Sequence, residues 1–216
     1  MSTIVEPIVM DVHLPAGVAG PEPLDFDVRC FLVAHADGVA LIDVGMAGSH
    51  DAIAAGLARV GAGWDDITDV VLTHSHPDHV GGLAAVMASA GRATIWVGDG
   101  DRSAIPFDGE MQSLVEGGMV RSLRALHTPG HTPGHCSLVL EAESILFAGD
   151  IVGSMGGSLS RGPAAFTADP NQAEKSLHRV EALEFDRVLF GHGAEIVEPL
   201  GALRSFLRHP ELGQSD

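Results

Sequence analysis

The stretch THSHPDHVGG, residues 73–82, sets His74, His76, Asp78 and His79 within six positions. Imidazole nitrogen and carboxylate oxygen are good ligands for zinc, and also for iron or manganese, and no thiolate stands among them. The same residue types recur downstream as His131 in HTPGHTPGH, Asp150 in ILFAGD and His192 in LFGHG. Alternation along extended backbone lets His74 and His76 point to one ion, and the reversal at Pro77 and Asp78 lets Asp78 and His79 face a second. Seven candidates are too many for a single tetrahedral ion, whereas two ions sharing a carboxylate would use them all. In HTPGHTPGH the motif PGH occurs twice, so spacing alone leaves His131 and His135 both open as ligands.

Each candidate lies just past an apolar run that reads as a strand. Arg29 to His35 and Val39 to Val44 form a hairpin pattern around AlaAspGly, and Asp69 to Thr73 delivers the histidine turn. Ala93 to Val97, Ser122 to His127, Cys136 to Leu140, Ser144 to Ala148 and Arg187 to Phe190 supply further strands. Helices are predicted between them. Ile53, Leu57 and Val60 share one face, with Ser49 as N-cap and Gly61 as stop. A second helix covers Leu83 to Ala90; a third starts at Asp169-Pro170 and carries Ala173, Leu177, Val180 and Leu183. Leu200, Leu203, Phe206 and Leu207 mark a last one. Four strands ending in ligand types would converge on one edge of a sheet, where open α/β folds place their sites. Residues 98–118 and 154–166 read as pocket walls.

Length and composition fit one α/β domain over residues 1–216, with 45% apolar residues to fill a core. A net charge of −17 with scattered Lys and Arg argues against nucleic acid as partner. The two cysteines suggest no disulfide framework, and no run approaches a membrane span, so a cytoplasmic protein acting on a small molecule is expected.

The motifs LIDVG, THSHPDHVGG, HTPGHTPGH, LFAGD and LFGHG, in this order, resemble the metallo-β-lactamase fold metallohydrolases, over about Arg29 to Glu195. The pattern is most similar to glyoxalase II-like and lactonase-like members. The resemblance implies a four-layer αββα sandwich and two zinc ions. One would sit on His74, His76 and His131, a second on Asp78, His79 and His192, with Asp150 bridging. It favours His131 over His135 as ligand and leaves His135 a supporting role. It also makes Asp43 of LIDVG the residue that holds the histidine loop. His13, His35, His50, His127, His178 and His209 match no motif, and Asp99 and Asp101 in GDGD read as a turn rather than an ion site.

The chemistry implied is attack of a metal-bridging hydroxide on an ester, thioester, lactone or amide carbonyl, with Asp78 orienting the nucleophile and passing on its proton. Arg161 could meet an anionic group of the substrate. Zinc β-lactamases place a cysteine or serine where Asp150 stands. Standard glyoxalase II adds a helical domain, against about two dozen residues after His192 here. A tyrosine-assisted lactonase is excluded because the chain has no tyrosine. The alternatives are a mononuclear iron persulfide dioxygenase-like oxidoreductase and a non-catalytic metal-binding module. The second is disfavoured because the ligand set leaves positions open.

Overall fold

The structure is a computed structural model and describes residues 3–17 and 20–208, so His209 lies outside the described residues. Its architecture follows from period-two alternation in strands whose two faces are both covered. Along β2 (Leu24–His35), Cys30 and Leu32 enter one apolar core while Phe31 and Val33 enter another. In β3 (Gly38–Ile42) and β4 (Ile67–Leu72) the same division separates Leu41 and Val70 from Ile42 and Val71. With β1 (Ile4–Leu14), β5 (Thr94–Val97) and β6 (Gln112–Ser113) these strands form a six-stranded sheet ordered β1-β2-β3-β4-β5-β6.

A second sheet, ordered β13-β10-β9-β8-β7, is built from β7 (Met119–Val120), β8 (Leu123–His127), β9 (Cys136–Leu140), β10 (Ile145–Gly149) and β13 (Arg187–Phe190). Its inner residues Leu123, Leu138, Phe147 and Leu189 pack on Phe31, Ile42 and Val71 of the first sheet. The Phe31 and Phe147 rings meet edge to face at 5.4 Å. Helices α1 (His50–Arg59) and α3 (Leu83–Ser89) cover the outer face of the first sheet through Ile53, Leu57 and Val86. Helices α4 (Pro170–Glu181) and α5 (Pro199–Arg208) cover the second through Leu177, Val180, Leu203 and Phe206. Three apolar layers thus separate helix, sheet, sheet and helix, the predicted αββα sandwich.

The structure departs from the sequence expectations in three places. Strand β1 pairs antiparallel with β2 along its whole length, from Ile4 opposite Ala34 to Leu14 opposite Leu24, although no apolar run announces it. It is an edge strand, mostly half-buried or exposed, with Pro7, Asp11 and His13 interrupting the pattern. Ser49 sits at the predicted N-cap, but its hydroxyl donates to the Val44 carbonyl at 2.5 Å and caps nothing. The strand ends that carry ligand types belong to both sheets, β4 to the first and β8, β10 and β13 to the second, so they converge on a seam rather than on one sheet's edge.

Candidate metal centre

β10 and β13 are parallel, and β8 and β10 both run antiparallel to β9, so all three end on the same side. Beyond β4 the chain bends at Thr73 and is extended at His76, then Pro77 opens the one-turn helix α2 (Pro77–Val80) with the proline in its first turn. After the proline, Asp78 and His79 fall in a different group of ligand-type atoms from His76. Glycines make room where the loops meet. A β-carbon on Gly191 would lie 2.2 Å from Asp150 Oδ1, and one on Gly149 (φ +58°) would lie 2.5 Å from His135 Nε2.

Two groups of nitrogen and oxygen atoms result. His74 Nε2 lies 3.2 Å and His131 Nε2 2.9 Å from His76 Nδ1. On the other side, His79 Nε2 and His192 Nε2 are 3.4 Å apart, with Asp78 Oδ2 3.3 Å from His192. Asp150 faces both groups. Its Oδ2 is 3.5 Å from His131 and 3.0 Å from His192, and its Oδ1 is 3.4 Å from His79. His74, His76 and His131 form one set able to hold an ion, Asp78, His79 and His192 another, and Asp150 joins His74 and His79 in a third.

The hydrogen bonds behind the rings explain why these nitrogens face inward. His192 Nδ1 donates to the Asp27 carbonyl at 2.7 Å, and His79 Nδ1 to Asp43 Oδ2 at 2.8 Å. The Thr73 hydroxyl donates to Asp43 Oδ2 and so accepts from His74 Nδ1 at 3.0 Å. With the proton fixed on Nδ1, His74 turns its Nε2 lone pair inward, and His79 and His192 would offer theirs to a bound cation on losing the second proton. Lone pairs at such distances repel unless a cation lies between them. Asp150 Oδ1, moreover, is buried without a hydrogen-bond donor among the described residues. The donor set therefore fits metal ions, with imidazoles and carboxylates in the numbers that two ions would need.

The electrostatics divide the histidines: His79 and His192, beside Asp150, are raised, while His74 and His131 are lowered. Burial pushes His131 down to about 4 and His74 well below the usual imidazole range, so both stay neutral. Burial works against charge on His192 as well, but Asp150, by field and hydrogen bond, and Asp78 raise it to about 10. Asp150 is held well below the carboxylate range: its burial is outweighed by His79 and His192.

His135 lies beside the centre with both ring nitrogens engaged. Its Nε2 accepts the Asp150 backbone N–H at 3.0 Å and its Nδ1 meets Thr128 Oγ1 at 2.9 Å. Asp43 takes a left-handed backbone conformation (φ +57°), a strained choice for a residue with a side chain. From there it accepts from Thr73 N and Oγ1, both at 2.8 Å, as well as from His79.

Two supporting residues escape the sequence reading. Asp101 sits in the predicted turn but is buried, and it accepts from Ser75 N at 2.8 Å, Thr132 Oγ1 at 2.6 Å and Gly134 N at 2.7 Å. It thus ties the His74–His76 loop to the His131–His135 loop. Asp27 Oδ1 accepts Gly193 N at 2.9 Å and so fixes the turn around His192. The doubled acid of GDGD was the available signal for Asp101; for Asp27 there was none.

A cleft of about 260 Å³ opens beside His131 and Asp150, lined by Ile151, by 161–164 and by α4 residues including Ala173, Glu174 and Leu177. Part of the expected wall 154–166 is there, with β11 (Gly153–Met155) and β12 (Ser158–Ser160) forming a hairpin before it. Residues 98–118 do not line this cleft. Arg161 reaches it as expected, but already bound: its Nε and Nη2 donate to Glu174 at 3.1 and 2.9 Å.

Among known proteins, the family model of the Metallo-beta-lactamase superfamily matches residues 24–192. The uncharacterized protein YobT of Bacillus subtilis is 27% identical, over 88% of this chain and 94% of that one. A hydroxyacylglutathione hydrolase of Methylococcus capsulatus is 37% identical over 59% of this chain, and the match spans only 48% of the hydrolase's own length. In structure, the chain is similar to a metallo-beta-lactamase family protein of Thermus thermophilus, with TM-score 0.71, 21% identity and coverage of 94% and 79%. It is also similar to a protein crystallised in a di-iron-bound form, with TM-score 0.68, 26% identity and coverage of 89% and 96%.

Proposed function

The chain belongs to the metallo-β-lactamase superfamily, and on that premise we propose that it is a dinuclear metal-dependent hydrolase of a small ester, thioester or lactone. The observation that carries this reading is the position of Asp150, whose Oδ2 lies between His131 of one set and His192 of the other, while its Oδ1 faces His79 of the second set. On this reading His74, His76 and His131 would hold one ion, Asp78, His79 and His192 would hold the other, and Asp150 would serve both. Such ions lower the pKa of water toward ~7 and polarise a carbonyl oxygen. Hydroxyacylglutathione hydrolases among the relatives support a thioester or related acyl substrate.

The chain's own residues do the rest. Asp78 is partly exposed, and the His192 hydrogen bond and nearby His79 outweigh burial to keep it ionised. It is placed to orient a water molecule and accept its proton. Asp43, Asp101, Asp27 and His135 keep the inward-facing atoms in place, and the cleft beside Asp150 receives part of the substrate. Zinc suits the imidazole and carboxylate set; the di-iron-bound relative supports iron as the alternative. A one-iron oxidative site would leave Asp78, His79 and His192 turned inward to no purpose.

We read residues 1–216 as one domain acting in the cytoplasm on a small molecule rather than on nucleic acid or a membrane. The net charge of −17 supports the reading against nucleic acid, and among the described residues no helix is long and apolar enough to cross a membrane. A panel of small esters, thioesters and lactones offered to zinc-loaded and iron-loaded protein tests the reaction class. Turnover that is lost on chelation and restored by metal supports it; oxygen consumption with a persulfide and no hydrolysis contradicts it.

A further inference from the structure

Resting on the hydrolase reading, we infer that the cleft beside Asp150 takes an uncharged, largely apolar acyl group, and that the Arg161–Glu174 ion pair discriminates against acyl groups ending in an anion. The cleft is bounded by Ile151, Pro163, Ala164, Ala173 and Leu177, which offer apolar contact. Its volume, about 260 Å³, lies just under the ~300–1,000 Å³ of typical ligand pockets, which suits a short chain.

Apart from His131 and Asp150 of the candidate centre, the charged members of the wall, Arg161 and Glu174, are paired with each other. Glu174, on α4, receives the guanidinium through two parallel hydrogen bonds, the geometry in which arginine and carboxylate bind most firmly. Behind the pair, the guanidinium carbon lies 4.1 Å from the centre of the buried Phe206 ring of α5. Arg161 is thereby held as part of the wall instead of extending toward a ligand. Both side chains are largely shielded, at 21% and 33% exposure, so solvent screens their fields only in part.

An anionic acyl end entering this cleft would have to displace Glu174 from the fork or lie against its carboxylate. Either course leaves a partly buried charge poorly paired, which is costly. An alkyl chain meets no such cost and removes apolar wall from water. Selection here comes from what the pair repels as much as from what the wall attracts.

The test compares p-nitrophenyl hexanoate with the mono-p-nitrophenyl ester of adipic acid, which share a leaving group and differ at the far end of the chain. The metal-loaded protein is expected to favour the hexanoate by at least about tenfold in kcat/KM, and Glu174→Gln to narrow that ratio by about tenfold by releasing the charge of Arg161. Glu174→Ala should move the ratio the same way. An equal or greater rate with the adipate ester, or a ratio unmoved by both variants, overturns the inference while leaving the hydrolase reading intact. If neither ester is turned over, the hydrolase reading is what fails, and calorimetric binding of hexanamide and adipamate decides the inference. Tighter binding of hexanamide, with the difference narrowed in Glu174→Gln, supports it. Adipamate binding as well or better, or no hexanamide binding at millimolar concentration, overturns it.

Discussion

The backbone N–H of Asp150 donates to His135 Nε2 at 3.0 Å, so this histidine holds the shared carboxylate's backbone with the nitrogen that a ligand would use. His131, four residues earlier, points its own Nε2 at His76 instead. His131→Ala is expected to lose metal and nearly all turnover. His135→Ala should retain metal with a milder loss of activity, about 10 to 100-fold as for other residues that orient ligands. Elemental analysis and kinetics of the two variants check this; the reverse order would show the roles to be exchanged.

Asp101 spends both carboxylate oxygens on three donors from two ligand-bearing loops. Asp101→Asn keeps the shape but turns an amide N–H₂ toward at least one N–H or O–H donor. Metal affinity, measured by competition with a chelator, should fall by about 10 to 100-fold while the circular dichroism of the metal-free protein stays that of the wild type. Unchanged affinity would show that the loops hold their spacing without this link.

The centre was more legible in sequence than the frame around it. His74, His76, Asp78 and His79 stand in one turn, and their types and spacing are visible without a fold. The αββα order came from the family resemblance; apolar runs such as Cys30 to Val33 announced strands, and the fold shows these four consecutive buried residues divided between two cores. β1 was not legible, because an edge strand with a half-wetted face has no such run. Asp27 and Asp101 were not either, since each acts through pairings across more than two dozen residues, Asp101 with Ser75 and Asp27 with His192 and Gly193. The Arg161–Glu174 pair, thirteen residues apart, forms only because the hairpin and α4 meet at the cleft.

Neither cysteine is placed to serve as nucleophile. Cys30 and Cys136 are fully buried and free, and burial first, then nearby carboxylates, pushes the Cys136 thiol up to about 12 and raises that of Cys30 well above its usual range. Because both are raised, the reactive thiolate is scarce at pH 8 and gains only as pH climbs toward those values. Folded protein should resist a disulfide exchange reagent at pH 8 and expose two thiols on unfolding. Rapid labelling of the folded protein with loss of turnover would argue for a thiol nucleophile.

On the proposed hydrolase reading, Asp78 handles the proton of the attacking water. Asp78→Asn is nearly isosteric, and it should lower kcat far more than it raises KM. In ¹⁸O water the wild type should place label in the acid product within a single turnover, with no acyl-enzyme detectable by mass spectrometry. A covalent acyl adduct, or near-normal turnover by Asp78→Asn with its metals bound, would contradict this role.

The shared position of Asp150 between two sets of ligands is tested most directly by counting metal in protein purified from zinc-supplemented cells. On the dinuclear reading, elemental analysis should give close to two equivalents per chain, one for each of the two three-residue candidate sets, and Asp150→Ala should lose at least one. A stable, active preparation holding one iron and no second metal would contradict the dinuclear account.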